Sequence, residues 1–192
     1  MEGLTKNRTI MSKVYLFLAD GFETVEALAP VDVMRRAGIE VVTVSIMERK
    51  EVVSAQDVTV TADVLYSEAC LDDADALVLP GGGVGTDNLS AHEPLRAQLV
   101  AAHTRGILVA AICAAPMVFG RIGILEGRKA TCYPGCEGDL FGAEYTATAV
   151  EQDGNIITGC GPGVSFDFGF AIVERLCGSE TVATLRSQMQ FI

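Results

Sequence analysis

The chain has 192 residues, of which 49% are hydrophobic, a length that suits one domain with a sizeable apolar core and excludes a disordered chain. With 25 acidic against 14 basic residues the net charge is -11, which argues against a nucleic-acid surface and fits an acidic, soluble protein. No apolar run reaches the ~18 residues of a membrane helix, and the opening MEGLTKNRTIMSK lacks the apolar stretch of a secretory signal. A cytoplasmic protein without a membrane partner is therefore expected.

Residues 1–12 read as a flexible extension, with Met11 an alternative start, and residues 13–192 as a single domain. Residues 13–19 (KVYLFLA) are a short apolar run, as in a buried strand. Residues 23–37 follow as a helix that Gly38 stops. A Val-rich second strand spans 40–47, and 52–61 alternate weakly, as in one or two edge strands. Residues 76–79 are a strand ending at Pro80 and the run Gly81, Gly82, Gly83. A helix over 94–105, with Pro94 in its first turn, leads to a central strand at 107–112. A further helix, 114–120, begins with almost no turn between. Short strands and loops fill 129–160, ending in a strand at 156–160, and helices at 165–176 and 180–188 close the chain. Strands alternating with helices imply a doubly wound, mostly parallel α/β sheet covered on both faces, a three-layer sandwich.

Ligands of such sheets sit beyond the carboxyl ends of the strands, and three segments converge there. The first is ILVAAICAAPMVFG, residues 107–120. A nucleophile on a sharp strand-to-helix turn needs small neighbours two residues away on each side, and Ala111 and Ala115 flank Cys113 in that way. A helix start behind the thiol predicts a lowered pKa. The competing reading is a buried apolar cysteine. The second segment is LVLPGGG, residues 77–83, whose backbone N–H groups can line the crevice as oxyanion donors. Its spacing fits neither the dinucleotide fingerprint nor the Walker A loop. The third is residues 19–38, where Glu23 and Glu26 share a helix face. Pro30 removes the helical partner of the Glu26 carbonyl. A half-buried Glu26 would have a raised pKa and could donate to a thiolate, although a solvated acidic face is the plainer reading.

Together these segments resemble the ThiJ/PfpI superfamily, in the branch of the Parkinson disease protein deglycase (DJ-one). The motifs that carry the resemblance are PVDVMRRAG (30–38), VLPGG (78–82), AAICAAP (110–116) and GPGVSFDFGFAIVE (161–174). The resemblance implies a flavodoxin-like fold, a homodimer, Cys113 as nucleophile and Glu26 as its acid, which lowers the thiol pKa and steadies an oxidised sulfinic form. It also makes Gly82 and Ala114 backbone donors. Gly81, Gly82, Ala114 and Tyr133 are the expected oxyanion or substrate contacts. Tyr133 stands where relatives carry a histidine, Gln56 and Cys160 stand where close relatives carry arginines, and Arg36 remains of that basic set. Ala114 replaces the histidine of the protease-like branch, which disfavours a peptidase. His92 and His103 match no catalytic position.

The implied function is a glyoxalase or deglycase of lyase or hydrolase type, acting on small dicarbonyls or glycated protein without a metal or other cofactor. Redox sensing through Cys113 oxidation and a holdase role are the alternatives. Cys132 and Cys136, spaced C-x₃-C, lack a second ligand pair for zinc. Cys160 is a candidate disulfide partner for an oxidised Cys113.

Overall fold

The computed structural model describes residues 11–191, so the expected N-terminal extension lies outside it over residues 1–10. Its first strand, β1 (Lys13–Leu18), sends Val14, Leu16 and Leu18 to one side and Tyr15 and Phe17 to the other, and all are buried. A strand buried on both faces belongs inside a sheet with helices above and below.

Helix α1 (Thr24–Arg36) and strand β2 (Glu40–Ser45) follow, then a separate antiparallel pair, β3 (Glu51–Val53) and β4 (Thr59–Thr61). Next come β5 (Val64–Leu65), β6 (Ala76–Leu79), helices α2 (Gly83–Ala91) and α3 (Glu93–Thr104), β7 (Leu108–Ile112) and α4 (Pro116–Arg121). The last third holds β8 (Lys129–Ala130), β9 (Glu144–Tyr145), β10 (Val150–Asp153), β11 (Ile156–Gly159), α5 (Ser165–Cys177) and α6 (Ser179–Gln188).

The main sheet has the order β10-β11-β7-β6-β1-β2-β5. Every neighbouring pair in it is parallel except β10 with β11. Helices α1, α5 and α6 cover one face, and α2, α3 and α4 the other. The fold is thus the expected three-layer α/β sandwich. The order reverses between β1 and β6, the switch point at which such sheets open a crevice. Both Gly81 and the start of α1 lie at that edge.

Two expectations change. Residues 51–61 form their own two-stranded sheet and not an edge of the main one. The glycine run is also not all loop, because Gly83 begins α2. No helix among the described residues is long and apolar enough to cross a membrane.

Candidate active site

Strand β7 ends at Ile112 and α4 begins only at Pro116. Between them Cys113 has φ 65°, a left-handed conformation that costs a non-glycine residue roughly 1 kcal/mol or more. The turn is held from both sides. The Cys113 N–H donates to the Gly159 carbonyl at 2.9 Å, and the Cys113 carbonyl accepts from the Tyr133 N–H at 2.8 Å. Ala111 and Ala115 are fully buried beside it, so side chains larger than methyl would crowd the turn. Cys113 itself is 9% exposed, enough to meet a small reagent at the strand edge.

Glu26, in the first turn of α1, is fully buried and not half-buried. Its Oε2 accepts from the Gly81 N–H at 2.9 Å. Its Oε1 is buried without a donor, which suits an oxygen that carries a proton. Gly81 sits between the Glu26 and Cys113 side chains. An ideal Cβ on it would lie 2.6 Å from both Cys113 Cβ and Glu26 Oε2, so only glycine lets the carboxyl and the thiol approach the same point. Gly82 has φ 91° and packs against residues 21–23, where a Cβ would meet the Glu23 nitrogen at 2.7 Å.

The ionisation balance of the pair is set by burial. Burial pushes the Glu26 carboxyl up to about 7, opposed by the Cys113 thiol and the Gly81 amide, with the charge of Glu23 adding to the rise. The Cys113 thiol is pushed up to about 12, first by burial and then by the charge and acceptor oxygen of Glu26; the N–H groups of Gly82 and Ala114 pull it down. The expectation of a thiol lowered by a helix start is therefore corrected. Helix α4 begins three residues further on and has only six residues, so its dipole gives the sulfur little. The two sites are coupled: a proton on Glu26 removes the charge that raises the thiol and places a donor beside the sulfur. Between the two titrations the pair holds one proton.

Of the expected contacts, Gly81, Gly82 and Ala114 surround the Cys113–Glu26 pair. Tyr133 lies at the mouth: its backbone holds the turn and its side chain is 49% exposed. Gln56 is beside the site, bridging Glu23 Oε2 at 2.7 Å and Thr24 Oγ1 at 2.7 Å. Arg36 is not there. It sits at the other end of α1, about 15 Å along the axis at 1.5 Å per residue, and pairs with Asp32 at 2.8 Å. His92 caps α3 through Nδ1, and His103 lies in the last turn of the same helix. Sequence reasoning missed the Gly159 carbonyl that anchors Cys113, and the Glu23–Gln56 bridge. Glu23 was visible as a neighbour of Glu26, but nothing in the sequence joins it to Gln56. Among the described residues no three His, Cys, Asp or Glu side chains are grouped to hold a metal ion.

A cysteine on a left-handed turn, a buried carboxyl and a glycine between them are accompanied by a match to the model of the DJ-1/PfpI family over residues 12–175. The chain belongs to the DJ-1/PfpI family. It is 36% identical over 181 residues to the Parkinson disease protein 7 homolog of Danio rerio, covering 92% of this chain and 96% of that one. A deglycase of Pyrococcus abyssi is 32% identical over 153 residues, covering 79% of this chain and 91% of its own. Among solved structures, a DJ-1 superfamily protein of Salmonella typhimurium superposes with a TM-score of 0.90 at 35% identity, covering 95% of this chain and all of that one.

Proposed function

We propose that this member of the DJ-1/PfpI family is a cofactor-independent enzyme of the glyoxalase/deglycase class, acting on small dicarbonyls or their protein adducts. The observation that carries this reading is the buried Glu26 carboxyl, with Oε1 free of donors, flanking the same glycine as Cys113. The resemblance to a deglycase agrees with it.

The chemistry follows from the shared proton. The Cys113 thiolate adds to an aldehyde carbon while Glu26 supplies a proton to the oxygen, giving a hemithioacetal. The Glu26 carboxylate then takes the proton from that carbon and returns one to the neighbouring carbonyl carbon, while the hydroxyl proton passes to the neighbouring carbonyl oxygen. This makes a thioester of a 2-hydroxy acid. Water hydrolyses the thioester and restores the thiol. The N–H groups of Gly82 and Ala114 stabilise the oxyanions formed along the way. Tyr133 at the mouth makes the outer contact with the substrate.

Methylglyoxal consumption by the purified protein tests this. Loss of turnover by a factor of 10² or more is expected in Glu26→Gln, on the scale of general acid–base catalysis, with none left in Cys113→Ser. Unchanged turnover in Cys113→Ser would reject the mechanism.

A second reading rests on the same donors. The Gly82 and Ala114 N–H groups at the sulfur also suit a sulfinate, so Cys113 can serve as an oxidation sensor. A stable gain of two oxygens at Cys113, without dicarbonyl turnover, would favour it. A homodimer is part of the proposal: Val25 and Leu28 of α1 and Phe166 of α5 are large apolar side chains left exposed, and gel filtration at twice the chain mass is the expected result.

A further inference from the structure

Five cysteines outside the Cys113–Glu26 site have no part in the proposed reaction, and Cys132, Cys136 and Cys160 are the three of them that are at least partly buried. Cys132 is fully buried, and Cys136 and Cys160 are partly buried. The chain around Cys132 is fixed on both sides against the end of β11. The Thr131 N–H donates to Thr158 Oγ1 at 2.9 Å. Two residues on, the Tyr133 ring lies over Gly161, where an ideal Cβ would sit 3.2 Å from Cδ2. Residues 131 and 133 thus run beside 158 and 161 in the same direction, and Cys132 between them falls beside Cys160. Both segments also hang on adjacent residues of a third: Thr131 Oγ1 donates to the Thr148 carbonyl at 2.7 Å, and the Cys160 N–H to the Ala149 carbonyl at 2.9 Å.

Strand alternation decides which way Cys160 faces. A Cβ on Gly159 would meet Ile112 Cγ1 at 3.0 Å and Phe168 Cδ2 at 3.3 Å, so Gly159 faces the α5 layer. Within β11, alternation puts Thr158 toward the opposite layer, and Cys132 is packed in that layer. Cys113 has left the alternation through its positive φ and packs on the Ile112 side. Carried one residue past the end of β11, the same alternation turns Cys160 to the Cys132 side. Burial first, then Cys136 and Glu137 and last Cys160, push the Cys132 thiol up to about 12.

We propose that Cys132 and Cys160 are a second redox site, a dithiol that closes to a disulfide with hydrogen peroxide as oxidant, independently of Cys113. The Thr131–Thr158 hydrogen bond and the Tyr133 ring over Gly161 hold the two segments side by side, and a disulfide between them needs a Cα separation under about 7 Å. Cys160 is the more exposed thiol and reacts first. Its sulfur, as thiolate, bonds to one peroxide oxygen, the O–O bond breaks, and the released hydroxide takes the thiol proton as water. The Cys132 sulfur then attacks the sulfenic sulfur. The S–S bond forms, the S–O bond breaks, and the hydroxyl leaves with the Cys132 proton as a second water. Two thiols and one peroxide give one disulfide and two waters, with two electrons passing from sulfur to oxygen.

The test uses the full chain carrying Cys113→Ser, treated with one equivalent of hydrogen peroxide, alkylated in denaturant and mapped without reduction. The expected result is a peptide joining Cys132 to Cys160, released by dithiothreitol and absent when Cys160→Ser is added. Because Cys160 is only partly buried, that variant carries the comparison even where Cys132→Ser fails to fold. Recovery of both thiols as alkylated cysteines overturns the proposal. So does conversion of Cys160 to a sulfinic acid without a link, or a link that runs through Cys136.

Discussion

The Gly81 amide donates to Glu26 Oε2 at 2.9 Å, so the backbone of the β6 turn fixes one oxygen of the carboxyl and leaves the other buried without a partner. An ideal Cβ at Gly81 would also meet the Ile112 carbonyl at 2.8 Å. Three groups thus close on one position that has no side chain.

Gly81→Ala is expected to lower stability by about 1–3 kcal/mol, the usual range for overpacking a tight site. For a chain of this size that is a fall in Tm of several degrees, about 2–4 °C per kcal/mol. Thermal unfolding checks the first effect, and methylglyoxal turnover should fall with it.

Burial of Glu26 makes stability depend on pH. Its folded pKa, about 7, is above the ordinary 4.5, so the folded state holds the proton more tightly than the unfolded chain. The stability it contributes is full below pH 4.5 and is lost as pH rises to about 7. The shift corresponds to about 3 kcal/mol. Urea unfolding at a series of pH values should show this decline in the wild type and a flatter curve in Glu26→Gln.

Glu23 raises the Glu26 pKa through its charge, and Gln56 holds Glu23 without neutralising it. Glu23→Gln is expected to move the titration of the site to lower pH by a fraction of a unit. The pH profile of Cys113 alkylation reads that shift; a step that stays in place would show that the Glu23 charge does not reach the pair.

Much of this arrangement was legible from residue patterns. The buried strands β1, β6 and β7 stand out as apolar runs, and AAICAAP marks the turn, because only small residues fit there. Helix α2 was not legible, since a start of Gly83, Val84 and Gly85 has poor helix propensity. The two-residue strand β5 is too short for any periodicity. The direction of the Cys113 shift comes first from burial and then from a carboxyl brought from α1, and α4 is too short to oppose them. Arg36 looked close to the site in sequence motif terms, but the length of α1 carries it away. The facing of Cys160 follows only from sheet register, which the sequence alone does not fix.

The central claim is that Cys113 and Glu26 share one proton and that this shared proton makes the thiol reactive. The rate of Cys113 alkylation by iodoacetamide across pH measures it directly. The wild type should show a rise centred near pH 7, where the first proton leaves the pair, followed by a plateau, and Glu26→Gln should lack that rise. Identical profiles in the two proteins, both following an ordinary isolated thiol, would contradict the account.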